Sequence, residues 1–373
     1  MLEAAFEQRP TVLLVVAAPW IGVARVPRVL HDAGCRVVLM CNPGFYAAHS
    51  AYIDELLPAP KDVDALLTLL KEVLAARRFD WIVLGDGEIL GAAVEQSGAW
   101  RRGWFPIDGD NEAARLLVSK TAFARVMTRA ALPIPRSEAT TGAGAAAAAA
   151  RIGYPVIVKP DQSSAGRGIF RADNEQQLGA LASEDMPVAI QEFVTGPVGS
   201  TAVLFVDGKP CCWMSSFKDE VHPKPFGPSS VRRYAFFPTI ESQLERIGRE
   251  LRLTGLCGLD WILPAGYDEP LFIELNGRPP PWLHLHRHFG VDFPGAIRAM
   301  LSGAPRVIRP PLAVPEPRVR MFPQDAMRAA AEGDWFGFAR GFLGGDDAPR
   351  DEPQLLRKLR GTLRKRAYKR LRG

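Results

Sequence analysis

The segment Val156–Phe170, VIVKPDQSSAGRGIF, gathers residue types that suit a phosphate. An apolar run delivers Lys159 at its end, and Ser163, Ser164, Ala165, Gly166 and Gly168 follow as a small-residue loop. Small residues let backbone N–H groups come close to phosphate oxygens, and the lysine supplies a compact positive charge. The segment is not a Walker A loop, because it has no GK[ST] and no helix start after it. By itself it reads equally well as an ordinary turn beside an exposed lysine. A second segment, FIELNGRP (Phe272–Pro279), carries Glu274 and Asn276 two residues apart. On a strand these share one face, and both are hard oxygen donors of the kind Mg²⁺ takes. Arg278 continues that face and is suited to clamping a phosphate. Asp260, in GLDWIL, adds a third oxygen donor on the same face if its strand pairs with the first.

Three sets of elements must position these residues. Thr11–Ala18, Cys35–Cys41 and Trp81–Gly87 are short apolar runs, as expected of strands buried on both faces, and helical stretches at Val23–Ala33 and Val63–Ala76 separate them. Alternating strand and helix implies a parallel sheet. The turn after the first run, APWIG, lacks GxGxxG, so no dinucleotide site is assigned there. A second unit begins near Asn111, with helical patterns at Ala113–Ala131, Ala143–Arg151 and Glu175–Ser183, and strands at Tyr154–Pro160 and Pro187–Val194. The third looks antiparallel. Ser200–Phe217 contains Asp207-Gly208, a hairpin-turn pair between β-formers, and Ile240–Leu253 is helical. Pro/Arg-rich sequence from Ala304 to Arg318 marks a boundary.

Composition bounds the chemistry further. The 373 residues are 47% hydrophobic and 23% charged, which excludes a disordered, collagenous or disulfide-scaffold chain. Five scattered cysteines form no CxxC and read as unpaired buried thiols in a reducing compartment. The net charge of +5 is uneven: nine of the 46 basic residues lie in Leu355–Gly373, which has no acid, leaving 37 bases against 41 acids before it. A mildly acidic body thus ends in a basic tail. The N-terminal residues carry no signal-peptide pattern and no apolar stretch is long enough to span a membrane, so a cytoplasmic location, peripheral to a membrane at most, is expected.

Four motifs in order resemble the ATP-grasp superfamily, nearest to its carbamoyl-phosphate-synthetase-like and carboxylate–amine ligase branches. They are VSKTAFARVMTRAALPIP with Lys120, VIVKP with the SSAGRG loop, IQEFVTG, and GLDWIL with FIELNGRP. The resemblance covers about residues 1–300. It implies an α/β plus α+β fold: a pre-ATP-grasp parallel-sheet domain (1–110), a small lobe with linking helices (111–194), and a large lobe with the metal site (195–303). Outside the resemblance, the sequence continues as a Pro/Arg-rich linker and basic amphipathic helical tail (304–373). The resemblance further implies that Lys120, Lys159, Ser164, Gly166 and Gly168 hold ATP phosphates and that adenine meets the backbone of Glu192, Phe193 and Val194. Asp260, Glu274 and Asn276 would hold Mg²⁺ or Mn²⁺. The activity implied joins a carboxylate, activated as an acyl phosphate, to an amine. A bicarbonate or hydroxyl acceptor, or a nucleotide-binding scaffold without turnover, is the alternative. Two departures stand out. Gly199 and Ser200 occupy the place where many members carry a ribose-binding Glu, and Asn276-Gly277-Arg278 replaces the usual NPR.

On the acceptor side, Arg232 and Arg233 are candidate carboxylate clamps with Arg278. Adjacent strand residues face opposite ways, and Arg233 is the one favoured here. HLHRH (His284–His288) invites a metal or contact with substrate, but packed or solvated histidines are the main expectation. The tail's leucines at 355, 356, 359, 363 and 371 fall at helical spacing under a basic face. That shape fits either packing on the body or docking on an anionic membrane or acidic protein, with nucleic acid disfavoured because only Tyr368 offers stacking.

Overall fold

Four short runs build the first sheet. β1 (Thr11–Val16), β2 (Arg36–Cys41), β3 (Glu55–Pro58) and β4 (Trp81–Leu84) pair in parallel in the order β3-β2-β1-β4. This computed structural model describes residues 9–96, 106–107, 114–161, 168–181, 185–225, 227–343 and 345–372. β1, β2 and β4 are the apolar, almost wholly buried runs, whereas β3, ELLP, is a half-exposed edge without that signature. The expected Val23–Ala33 helix divides into a 3₁₀ turn at Gly22–Arg25 and a helix at Val26–Asp32, because Pro27 favours a new first turn. The Val63–Ala76 helix starts where Asp62 accepts the Ala65 N–H at 2.9 Å.

The second sheet is antiparallel, β5 (Ser137–Thr141), β6 (Val156–Pro160), β7 (Phe170–Ala172) and β8 (Pro187–Glu192), in the order β5-β8-β6-β7. The alanine-rich helix Ala145–Ile152 covers it, with Ala148 and Ala149 buried against Val156, Val158, Val188 and Ile190. The stretch expected as a helix from Glu175 forms only a 3₁₀ segment, Glu175–Ala180.

The third sheet carries six strands in the order β13-β12-β9-β10-β11-β14: β9 (Val198–Val206), β10 (Lys209–Val221), β11 (Ser229–Ala235), β12 (Gly255–Ile262), β13 (Leu271–Asn276) and β14 (Arg318–Arg320). Asp207 and Gly208 join β9 to β10 with φ of 48° and 77°, the left-handed pair that a two-residue hairpin turn needs. One face buries Trp261, Phe272 and Phe205 in a core shared with Leu244, Ile247 and Leu251 of the Ile240–Leu251 helix. The first sheet docks on this unit closely enough that a Cβ on Gly22 would lie 2.2 Å from the Pro281 Cβ.

The segment after residue 304 is not a separate linker. Ile308 bridges to Cys212, and β14 extends the six-stranded sheet beside β11. Helices at Gln324–Glu332, Trp335–Leu343 and Pro353–Arg372 complete the chain. Leu355, Leu359 and Leu363 are fully buried beside Ala24, Phe322 and Ala326, so the tail packs its leucine face onto the body. Burying such side chains stabilises by roughly 1.5–3 kcal/mol each, enough to fasten the helix. All five cysteines are buried and unpaired. No helix among the described residues is long and apolar enough to cross a membrane.

Candidate active site

Strand register aligns the chemistry-bearing side chains on one face of the six-stranded sheet. Asp260 on β12 pairs with Glu274 on β13 and with Ser200 on β9; Ser200 pairs with Ser216 on β10; Lys218, two residues on, pairs with Arg232 on β11. Directly paired residues point to the same side, so Glu274, Asp260, Ser200, Ser216, Lys218 and Arg232 form a continuous polar row. Asn276 joins them from two residues beyond Glu274.

Two lysines reach this row from other elements. Lys120 begins the Lys120–Arg129 helix and brings its Nζ to 3.9 Å from Glu274 Oε1. Lys159, at the end of β6, donates to Gln191 Oε1 at 2.7 Å and to the Ile273 carbonyl at 3.2 Å. Both lysines are more than nine-tenths buried. Burial pushes Lys159 down to about 8, opposed by Glu274. Lys218 donates to Asp260 Oδ2 at 2.7 Å. Arg232 is buried, donates to Ser200, Ser216 and Ser229 hydroxyls at 2.8 Å each, and stacks over Trp282 at 4.2 Å. Burial lowers it to about 9, still protonated at neutral pH. Arg278 donates to Asn276 Oδ1 at 3.2 Å and lies 4.7 Å over the Trp20 ring, at the carboxyl end of β1. That end is the switch point of the parallel sheet, where Asp86 accepts the N–H groups of Ala17 and Ala18 at 2.8 and 3.1 Å.

Among the described residues, five cations therefore face three carboxylates, Asp260, Glu274 and, beside Arg278, Asp86. The imbalance suits a polyanion, whose charge would complete the row. Among the described residues no three His, Cys, Asp or Glu stand together as a metal cage. Two paired carboxylates and a neighbouring amide instead fit a divalent ion held partly by protein and partly by substrate oxygens.

A profile of the ATP-grasp domain matches residues 117–280, bounds that enclose Lys120, Lys159, Asp260, Glu274, Asn276 and Arg278. Residues 117–280 are an ATP-grasp domain. The carbamoyl phosphate synthase large chain of Streptomyces griseus is 32% identical over 192 residues, 48% of this chain and 17% of that one. The phosphoribosylamine–glycine ligase of Streptomyces coelicolor is 36% identical over 162 residues, 43% of this chain and 37% of that one. The aligned region thus spans about a sixth to a third of the length of these relatives. In fold, the chain superposes on the ADP complex of N5-carboxyaminoimidazole ribonucleotide synthetase with a TM-score of 0.64 at 12% identity, covering 89% of this chain and 87% of that one.

Within the ATP-grasp domain, several expected residues need separate comment. Ser164 and Gly166 lie outside the described residues. Gly168 is described, with φ of 71° and a Cβ position 3.1 Å from the Pro160 ring, a turn only glycine takes without strain. At the hinge, the Glu192 N–H already donates to the Arg136 carbonyl (2.8 Å), the Phe193 N–H to Pro155 (3.2 Å), and the Glu192 side chain pairs with Arg136 at 3.1 Å. Arg233 is corrected outright. It faces the opposite side, 44% exposed and paired with Asp219 at 3.2 Å, because strand alternation gives the site face to Arg232.

Asp161 carries a role that sequence reading missed. Its Oδ1 accepts from Ser119 Oγ at 2.9 Å and from the Thr121 N–H at 2.8 Å, pinning the start of the Lys120 helix to the strand of Lys159. Gly277 serves the same juxtaposition, since a Cβ there would sit 2.5 Å from Leu117 Cδ2. Gln191, which holds Lys159 and in turn donates to Ser137 Oγ at 2.9 Å, was visible only as strand filling. The histidines serve packing. His284 Nε2 lies 2.7 Å and His288 Nε2 3.5 Å from Asp347, which Arg25 also contacts at 3.3 Å, and His286 Nδ1 donates to the Val291 carbonyl at 3.0 Å.

Proposed function

We propose that the chain is an ATP- and Mg²⁺-dependent ligase that activates a substrate carboxylate as an acyl phosphate and joins it to an amine. The observation that carries this reading is the convergence of Lys120 and Lys159 on the Glu274–Asp260 pair from two different elements. In it, Lys120 and Lys159 grip the phosphates, while Asp260, Glu274 and Asn276 supply oxygen ligands to the divalent ion. The ion would neutralise charge developing on the β- and γ-phosphate oxygens. Adenine would meet the hinge after β8. The Glu192 and Phe193 N–H groups are already engaged, so Val194 would be the backbone donor to adenine in this reading. Ser163–Gly168 would cover the phosphates and keep water from the acyl phosphate.

Chemically, a carboxylate oxygen attacks the γ-phosphorus and ADP leaves. The amine then attacks the acyl carbon, phosphate departs with the former carboxylate oxygen, and the nitrogen loses a proton. Arg232 and Arg278, with Lys218, are the groups suited to hold the carboxylate in line, since guanidinium offers bidentate geometry.

The test is phosphate release from MgATP across a panel of carboxylic acids and bicarbonate, each with and without amines. Acid-stimulated release that rises with an amine, and ¹⁸O transfer from carboxylate to phosphate, is the expected result. Stimulation by bicarbonate alone would move the reading to a carboxylase-type acceptor. ATP binding with no stimulated release would favour a scaffold.

A further inference from the structure

The Trp335–Leu343 helix, WFGFARGFL, is apolar on both sides. Phe338 and Phe342 turn inward to the cluster around Phe322 and Leu359, with their rings 5.9 Å apart. Outward it presents Trp335, Phe336, Ala339 and Leu343, spaced along a single helical face. Phe336 is 82% and Leu343 75% exposed, a level of contiguous apolar exposure that usually marks an interaction surface.

Cations border this stripe from the neighbouring helix. Arg360 donates to the carbonyls of Phe342 and Leu343 at 3.2 and 3.3 Å, capping the aromatic helix, and the Arg360 and Arg364 guanidinium groups lie 5.7 and 5.5 Å from the Phe342 ring. Arg340 follows Ala339 on the same helix and is exposed, and Arg357, Arg364 and Lys365 are exposed on the tail helix. The carboxylates in adjoining sequence already have partners: Asp334 caps the helix through the Gly337 N–H, Glu332 pairs with Arg328, and Asp346 accepts the Arg320 N–H.

We propose that this face docks on an anionic lipid bilayer, with Trp335, Phe336 and Leu343 entering the acyl boundary and the flanking arginines and lysines meeting headgroup phosphates. Leu355, Leu359 and Leu363 of the tail cannot serve, being buried on the body, so the apolar element comes from the helix beside it. A bilayer surface offers apolar and anionic chemistry within one contact, matching both halves of the face. A second copy would set the same cations against themselves in a two-fold contact. Nucleic acid offers no apolar burial for Leu343.

Flotation of the full chain with vesicles tests this. Phosphatidylcholine vesicles containing about 30% phosphatidylserine should carry the protein and pure phosphatidylcholine should not, with binding weakened by 0.5 M salt. Phe336→Ser with Leu343→Ser, and separately Arg364→Glu with Lys365→Glu, should each reduce binding at least tenfold while thermal unfolding stays within 2 °C of the parent. The proposal is overturned if the parent ignores anionic vesicles, or if the Phe336 and Leu343 changes leave binding intact. A dimer in sedimentation that these two changes dissolve would equally overturn it.

Discussion

Among the described residues, two clusters of buried charge behave as opposites. Around Asp347, the carboxylate is 4% exposed and Arg25, His284 and His288 surround it. Burial alone would raise that carboxyl, but the histidines and Arg25 outweigh it and hold it well below the usual carboxylate range. Its charges are matched within the protein, and it fastens the loop before the tail to the N-terminal unit. On the sheet face, Lys120, Lys159, Lys218, Arg232 and Arg278 outnumber Asp260 and Glu274, and Glu274 is a third exposed. The difference teaches that buried charge marks function when it is left uneven and open, and marks structure when it is closed on itself.

The largest expected effect falls on the open cluster. Glu274→Gln should lower turnover at least ~100-fold, measured as stimulated phosphate release, with the unfolding temperature nearly unchanged. Should activity survive, the carboxylate pair is not the metal platform. Asp347→Asn is the counterpart in the closed cluster. Leaving Arg25 uncompensated should cost ~3 kcal/mol of unfolding free energy by denaturant titration, with nucleotide affinity retained. Equal loss of affinity would erase the distinction between the two clusters.

A pH difference sharpens it. Burial pushes His286 down to about 4, so the unfolded chain takes up the proton first as pH falls through 6.5. Stability is full above pH 6.5 and falls between 6.5 and about 4, by roughly 2 kcal/mol at pH 5. His286→Asn, which keeps a donor toward Val291, should flatten that slope in thermal melts at pH 5 and 7.5. Lys159 titrates from the other side. It is charged below about 8, so nucleotide affinity should weaken by up to ~tenfold from pH 7 to 9, while Lys159→Arg should lose that dependence. A flat profile for the parent would remove Lys159 from the phosphate grip.

Much of this is legible in the amino-acid sequence alone. Buried-strand runs gave β1, β2, β4 and β6, the Asp207-Gly208 turn gave the β9–β10 hairpin, and two-residue periodicity put Glu274 and Asn276 on one face. Other features were not readable because they depend on partners distant in sequence. Which of Arg232 and Arg233 faces the site is set by the pairing of β11 with β10, and Asp161 gains its role only when the Lys120 helix lands on it. The tail illustrates the same limit. Its leucine spacing specified an amphipathic helix but not what the leucines would touch, and Ala24 and Phe322 decide that from far earlier in the chain. β14 hid in a Pro/Arg-rich stretch because three residues at a sheet edge need no apolar pattern.

Calorimetric titration with MgATP tests the central claim most directly, comparing the parent with Lys159→Met and Asp347→Asn. The account predicts that the parent binds, Lys159→Met loses at least tenfold in affinity, and Asp347→Asn binds like the parent. No binding by the parent, or equal weakening by both variants, would contradict it.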